Sequence, residues 1–185
     1  GYSTVKELLA KGTNPDHILV IDPGEERVRI AGELGVVALR GDATQEGLLK
    51  FGAFLNEAKA VIIAAGRDDT NALILLTVRN LNSRCRVIVS AKEEENVKLF
   101  RQGGAQTIIS PATYGGYMLA AAVDQQYLAD YLEDFLTAGG KVNIEERTVE
   151  KQDVGKSALD LQPDVLLRVY RQGSIISPWE FQKNH

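Results

Sequence analysis

Residues 86–119, RVIVSAKEEENVKLFRQGGAQTIISPATYGGYML, constrain the fold more than any other stretch. Arg86–Ser90 is a β-branched run, and the spacing predicts a helix over Glu93–Gln102 with Val97 and Phe100 on one face. Gly103 and Gly104 stop that helix, and Thr107–Ile109 is a second short apolar strand. A strand–helix–strand unit this compact makes its strands parallel neighbours in one sheet. Ser110-Pro111 then opens another helix, because proline suits a first turn where no amide donor is needed. That helix carries Gly115, Gly116 and an apolar stretch, Tyr117–Val123. It is expected to pack against a second subunit rather than its own sheet.

The same alternation runs upstream. Helices are expected at Val5–Ala10, Glu25–Leu34, Glu46–Phe51 and Thr70–Leu81, the last with Leu73, Leu76, Val78 and Leu81 inward. Strands are expected at Ile18–Asp22, Val36–Leu39 and Ala60–Ala64. Val- and Ile-rich strands alternating with amphipathic helices predict an α/β fold with a doubly wound, Rossmann-like parallel sheet. Residues 1–123 form that domain, 124–140 a crossover helix and linker, and 141–185 a partial second subdomain. In the last part, Val142–Val149 alternates like an exposed strand. Gly155–Leu161 reads as a helix starting near Ser157, and Val165–Tyr170 as a strand ending in a turn at Gln172-Gly173. This tail is too small to bury its own faces.

Composition excludes several function classes. The net charge of −4 and pI near 5.3 argue against a nucleic-acid partner. The single cysteine, Cys85, cannot form an internal disulfide and fits a reducing compartment. Neither His17 nor His185 has a partner at metal-ligand spacing, so no metal site is expected. No apolar run approaches the roughly 20 residues that span a bilayer.

A doubly wound nucleotide-binding sheet opens with a strand and a glycine-rich turn. Here the first element is already a helix, so the first strand and first two glycines are expected to be missing from this stretch. Gly1 stands either where the third glycine of such a turn would be or as a tag remnant. Asp22 ends the second strand of such a sheet, where a carboxylate can bond ribose hydroxyls; the alternative is a turn or cap residue before Pro23-Gly24. Gly41, Asp42 and Ala43 follow the next strand. Asp42 with the Ala43 backbone could read an adenine edge, or Asp42 could cap the helix at Glu46. Ala64, Ala65 and Gly66 are small enough to let a cofactor lie against the backbone. All are carboxyl-end positions, where open parallel sheets bind ligands.

The segments ILVID, GDAT, AVIIAAGRDDTNALILLTVRNLN and RVIVSAKEEENVKLFRQGGAQTIISP, with the helix 112–123, resemble the RCK domain. This is the regulator of potassium conductance module, also described as a Trk-type NAD-binding domain. The resemblance covers residues 1–123 and, more weakly, 141–179, where the family's second subdomain normally continues further. It implies a non-enzymatic, ligand-sensing gating domain at the cytoplasmic face of the cell membrane, partnered with a potassium pore or transporter subunit. Members pair through the helix after Ser-Pro and the helix that crosses to the partner. Here the homodimer would use residues 112–136, with Tyr117, Met118, Leu119, Tyr127, Tyr131, Leu132 and Phe135 as its core. Dimers then assemble into an eight-membered ring whose shape responds to ligand.

The ligands implied are NAD(H), ADP or ATP, cyclic di-AMP and calcium. The carboxylates of the archaeal calcium-gated channels align with Ala64, Ser90 and Lys92, which cannot supply an oxygen cage, so that site is expected to be absent. Glu93–Glu95, Asp68 and Asp69 read as helix N-terminal charge. A short-chain oxidoreductase would need a Tyr/Lys or His/carboxylate pair at the carboxyl ends, and Tyr114 is the nearest candidate. The other alternative is a soluble regulatory subunit of a Trk/Ktr-type uptake system or an efflux antiporter. The strand-less start favours a segment of a longer channel chain.

Overall fold

A computed structural model describes residues 1–142, 144–156, 160 and 165–177. The chain divides into two compact units, Gly1–Asn143 and Ile144–His185.

The first unit holds five parallel strands. β1 (Leu19–Asp22) pairs with β2 (Val37–Arg40), in register from Leu19↔Val37 to Asp22↔Arg40. β4 (Arg86–Ser90) lies between β3 (Ala60–Ile63) and β5 (Thr107–Ile109). The expected single sheet is thus two hydrogen-bonded parallel sheets, because no strand among the described residues joins β1 to β3.

Period-2 alternation puts Val87 and Val89 of β4 at zero exposure. Each such side chain contributes about 1.5–3 kcal/mol through burial. The remaining core comes from helices whose apolar stripes meet this sheet. α3 (Asp68–Leu81) buries Asn71, Ile74, Leu75 and Val78, an i, i+3, i+4, i+7 stripe. Leu73 and Leu76, expected inward, are 52% and 58% exposed. The stripe that packs includes a polar residue, so choosing apolar positions alone rotates the helix to the wrong phase. α4 (Val97–Gln102) follows a 3₁₀ turn at Glu94–Asn96 and buries Phe100 completely. Gly104 ends it at φ +93°, and a Cβ on Gly103 would come within 2.9 Å of Leu75. The Arg79 guanidinium secures this corner by donating to the carbonyls of Gly104 and Cys85 and to Gln106 Oε1.

A second cluster, Val5, Ile18, Ala31 and Val36, packs α1 (Tyr2–Ala10) and α2 (Glu25–Glu33) with β1 and β2. The helix expected at Glu46–Phe51 forms with widened geometry: Glu46 and Gly47 are α-helical and run into a π turn, Leu48–Gly52, followed by a 3₁₀ turn at Leu55–Glu57. Two irregular turns seat both Leu49 and Leu55 in the core at 4% exposure, with Phe54 between them at φ 47°.

α5 (Pro111–Ala121) and α6 (Leu128–Leu136) complete the unit, and neither buries a residue. α6 lies within the segment 124–140 expected to hold the crossover helix and linker. The Ala138 amide after α6 donates to Glu7 Oε1 of α1 at 2.6 Å.

In the second unit, β6 (Val169–Arg171) and β7 (Ser174–Ile176) form an antiparallel hairpin. Gln172 and Gly173 turn it at φ 50° and 82°, both left-handed, as a two-residue hairpin loop requires. The strand expected over Val142–Val149 does not form: residues 142 and 144–149 have no regular structure. They have no partner strand among the described residues, and a lone strand leaves its amides unpaired. Ser157, most of the helix expected at 155–161 and Trp179 lie outside the described residues.

Candidate functional site

The carboxyl ends of β1 and β2 form one mouth. The Gly41 amide donates to the Asp22 carbonyl at 3.1 Å, which brings Asp22, Gly41 and Asp42 together. Asp22 is half-buried, and its Oδ1 accepts from the Gly24 amide at 2.8 Å and from Arg27 Nε at 2.7 Å. Both bonds fall on Oδ1, so Oδ2 has no hydrogen-bonded protein donor among the described residues. Asp42 closes a local turn: its Oδ1 accepts from the Thr44 amide at 2.9 Å and the Thr44 hydroxyl at 2.7 Å. The Thr44 amide first, and its hydroxyl second, hold the Asp42 carboxyl below the usual carboxylate range. A Cβ at Gly41 would come within 2.5 Å of Leu48 Cδ2, so a larger residue there would displace the end of that side chain. Ala43 packs against the main core.

Ala64, Ala65 and Gly66 sit at the carboxyl end of β3, in the other sheet and without a hydrogen bond to the first group. Gly66 has φ +84° with open space where a Cβ would go, so a turn demands the glycine here. Gly1 is the N-cap of α1 and accepts from the Val5 amide.

The residue that positions the Ala64–Gly66 loop is Asn71, which the sequence reading passed over. It is 1% exposed. Its Oδ1 accepts from the Ala65 amide at 2.8 Å, and its Nδ2 donates to the Ser90 carbonyl at 2.9 Å. One buried amide thus clamps the ends of β3 and β4. A signal was present: Asn71 stands four and seven residues before Leu75 and Val78, a polar residue within an apolar stripe.

Asp68 bridges the same two loops. Its carboxylate accepts from the amides of Lys92 and Glu93 at 2.8 and 3.0 Å and from Asn96 Nδ2 at 2.7 Å. Partial burial pushes its carboxyl up, but the Lys92 amide, Asn96 and the Glu93 amide outweigh this and hold it below the usual range. Asp68 is therefore a cross-loop tie rather than only helix N-terminal charge. Asp69 does stay local, lowered first by Arg67 and then by the Thr70 amide. Arg67, Asp68, Asp69, Lys92 and Glu93 line an open depression here.

The sequence comparisons agree with this architecture. Residues 1–111 match the TrkA-N domain. The chain belongs to the TrkA-N domain family. This TrkA-N chain is 31% identical over 96 residues to a probable potassium channel protein 2 of Methanocaldococcus jannaschii, covering 52% of this chain and 28% of that protein. It spans 18% and 28% of the length of curated relatives that it matches. Among solved structures, the TrkA-N domain of the inner membrane protein ybaL from Escherichia coli superposes with a TM-score of 0.61 at 23% identity, covering 67% of this chain and 89% of that one. The GsuK channel bound to NAD superposes with a TM-score of 0.50 at 24% identity, over 57% of this chain and 18% of that one. These superpositions establish the TrkA-N fold as Rossmann-like. No helix among the described residues is long and apolar enough to cross a membrane.

Proposed function

We propose that this TrkA-N domain is a non-enzymatic, ligand-sensing regulatory domain of a potassium channel, acting at the cytoplasmic face of the membrane and coupling adenine-nucleotide binding to pore opening. The observation that carries it is the mouth at the ends of β1 and β2. There a half-buried carboxylate, Asp22, keeps one oxygen available beside a backbone turn. A ribose diol needs such an acceptor. NAD(H), ADP and ATP share that diol. The potassium-channel relative supports the channel reading over an uptake or antiporter subunit.

Asp22→Ala is expected to weaken adenine-nucleotide binding by about tenfold or more, the worth of one charge-assisted hydrogen bond, without unfolding the domain. Calorimetry on the intact protein checks this. Unchanged affinity removes Asp22 from the site.

The partner surface is α5–α6. α5 leaves Tyr117 and Leu119 at 63% and 76% exposure, and α6 leaves Tyr131 at 57%. A second copy of the same surface supplies the missing cover, as two-fold pairing requires. Ligand regulates if it binds one arrangement of the paired domains better than another. Leu119→Glu is expected to halve the assembly mass measured by light scattering. An unchanged mass rules out this face as the contact.

A further inference from the structure

We propose that the amino edge of the β3–β4–β5 sheet, with the turn Phe51–Phe54 beside it, docks on an anionic phospholipid surface. The inference goes beyond the nucleotide reading and does not depend on it. The segments leading into β3 and β4, residues 50–59 and 82–86, carry four cations, Lys50, Lys59, Arg84 and Arg86, against one carboxylate, Glu57. The chain as a whole has a net charge of −4, so this edge runs against its overall sign. The cations also stand close together. The Arg86 amide donates to the Lys59 carbonyl at 3.0 Å, where β4 meets β3, and Arg84 lies two residues earlier. Lys59, Arg84 and Arg86 are exposed, and none has an ion pair among the described residues. At the carboxyl ends of the strands the opposite holds, since Arg27 and Arg67 are paired with Asp22 and Asp69. Unpaired guanidinium and ammonium groups along one edge offer donors to phosphate oxygens.

Aromatic rings share this edge. Phe51 and Phe54 are 72% and 64% exposed. Phe54 holds φ 47°, a left-handed backbone uncommon for a bulky residue. Asn82 ties the aromatic turn to the cationic one. Its Nδ2 donates to the Leu55 carbonyl at 2.9 Å, and its Oδ1 accepts from the Arg84 and Cys85 amides at 3.1 and 3.0 Å. Lys50 Nζ stands 5.4 Å from the centre of the Phe51 ring. A lipid surface complements both features at once: rings enter the boundary between headgroups and acyl chains, and cations meet the anionic headgroups. A purely acidic polypeptide would satisfy the cations and leave the rings in water.

The test is co-sedimentation of the 185-residue chain with vesicles of phosphatidylcholine alone and of phosphatidylcholine with phosphatidylglycerol. Binding is expected only to the second kind, and it should fall as salt rises. Lys59→Gln/Arg84→Gln should lower the partition coefficient by about 25-fold, roughly fivefold per cation. Phe54→Gly should lower it by about tenfold through the lost ring. Glycine suits the left-handed backbone at this position, so that variant keeps the test decisive if the double one does not fold. Binding to neither vesicle, equal binding to both, or an unchanged partition in either folded variant overturns the proposal. Binding of poly-glutamate without binding of vesicles assigns the edge to an acidic protein and overturns the lipid assignment. A chain that binds nucleotide but no vesicle loses this inference alone, and one that binds vesicles but no nucleotide loses only the nucleotide reading.

Discussion

Phe100→Ala is expected to lower the stability of the first unit by about 3–5 kcal/mol, the range for truncating a fully buried phenylalanine. Phe100 has no exposed surface and belongs to the cluster that contains Leu75, Val78, Val87 and Val89. The truncation removes apolar contact from α3, α4 and β4 together, and a close-packed interior recovers little of the space left behind. A domain whose whole stability is about 5–15 kcal/mol would lose a large share of it. Leu99 is the internal control, being the adjacent residue at 54% exposure. Leu99→Ala should change stability by less than about 1 kcal/mol. Chemical denaturation of the intact protein, followed by far-ultraviolet circular dichroism, compares the two. Equal costs would mean that α4 faces the sheet with a different side.

Asn71→Leu is expected to cost about 2–4 kcal/mol although it keeps size and adds apolar surface, because it strands two backbone groups at once. The Ala65 amide loses its acceptor and the Ser90 carbonyl loses its donor, both beneath a side chain that is 1% exposed. A pure packing role predicts the opposite, since leucine would extend the stripe of Leu75 and Val78. The effect should also be local. Hydrogen exchange at the Ala65 amide should speed up more than exchange at Val87 or Val89, which lie in the middle of the sheet. Unaltered exchange at Ala65 would remove Asn71 as the clamp. The same variant bears on function, because the loop it releases is Ala64–Gly66, one of the predicted backbone approaches to a cofactor.

The candidate site was only partly legible in the sequence. Asp22, Gly41 and Asp42 announce themselves, since acidic and glycine residues at strand ends follow a period that can be counted. Arg27 does not. It is a surface arginine five residues beyond Asp22, and its contact with the carboxylate appears only once the chain turns from β1 into α2. Asp68 misleads in a similar way. Its place at the start of α3 suits helix charge, yet its partners lie 24 to 28 residues further on.

For the first unit, the sequence by itself determined the order of elements, the parallel character of the strands and the glycines that end α2 and α4. Those features depend on neighbours within a few residues: β-branched runs, 3.6-residue stripes and positive-φ turns. Tertiary structure alone decided the phase of α3, the π turn that seats Leu49, the clamp by Asn71 and the split of the strands into two bonded sheets. Each of these is set by what lies across the core. A helix rotates to satisfy buried backbone groups as well as to bury its largest side chains, and a strand edge pairs only where another strand reaches it.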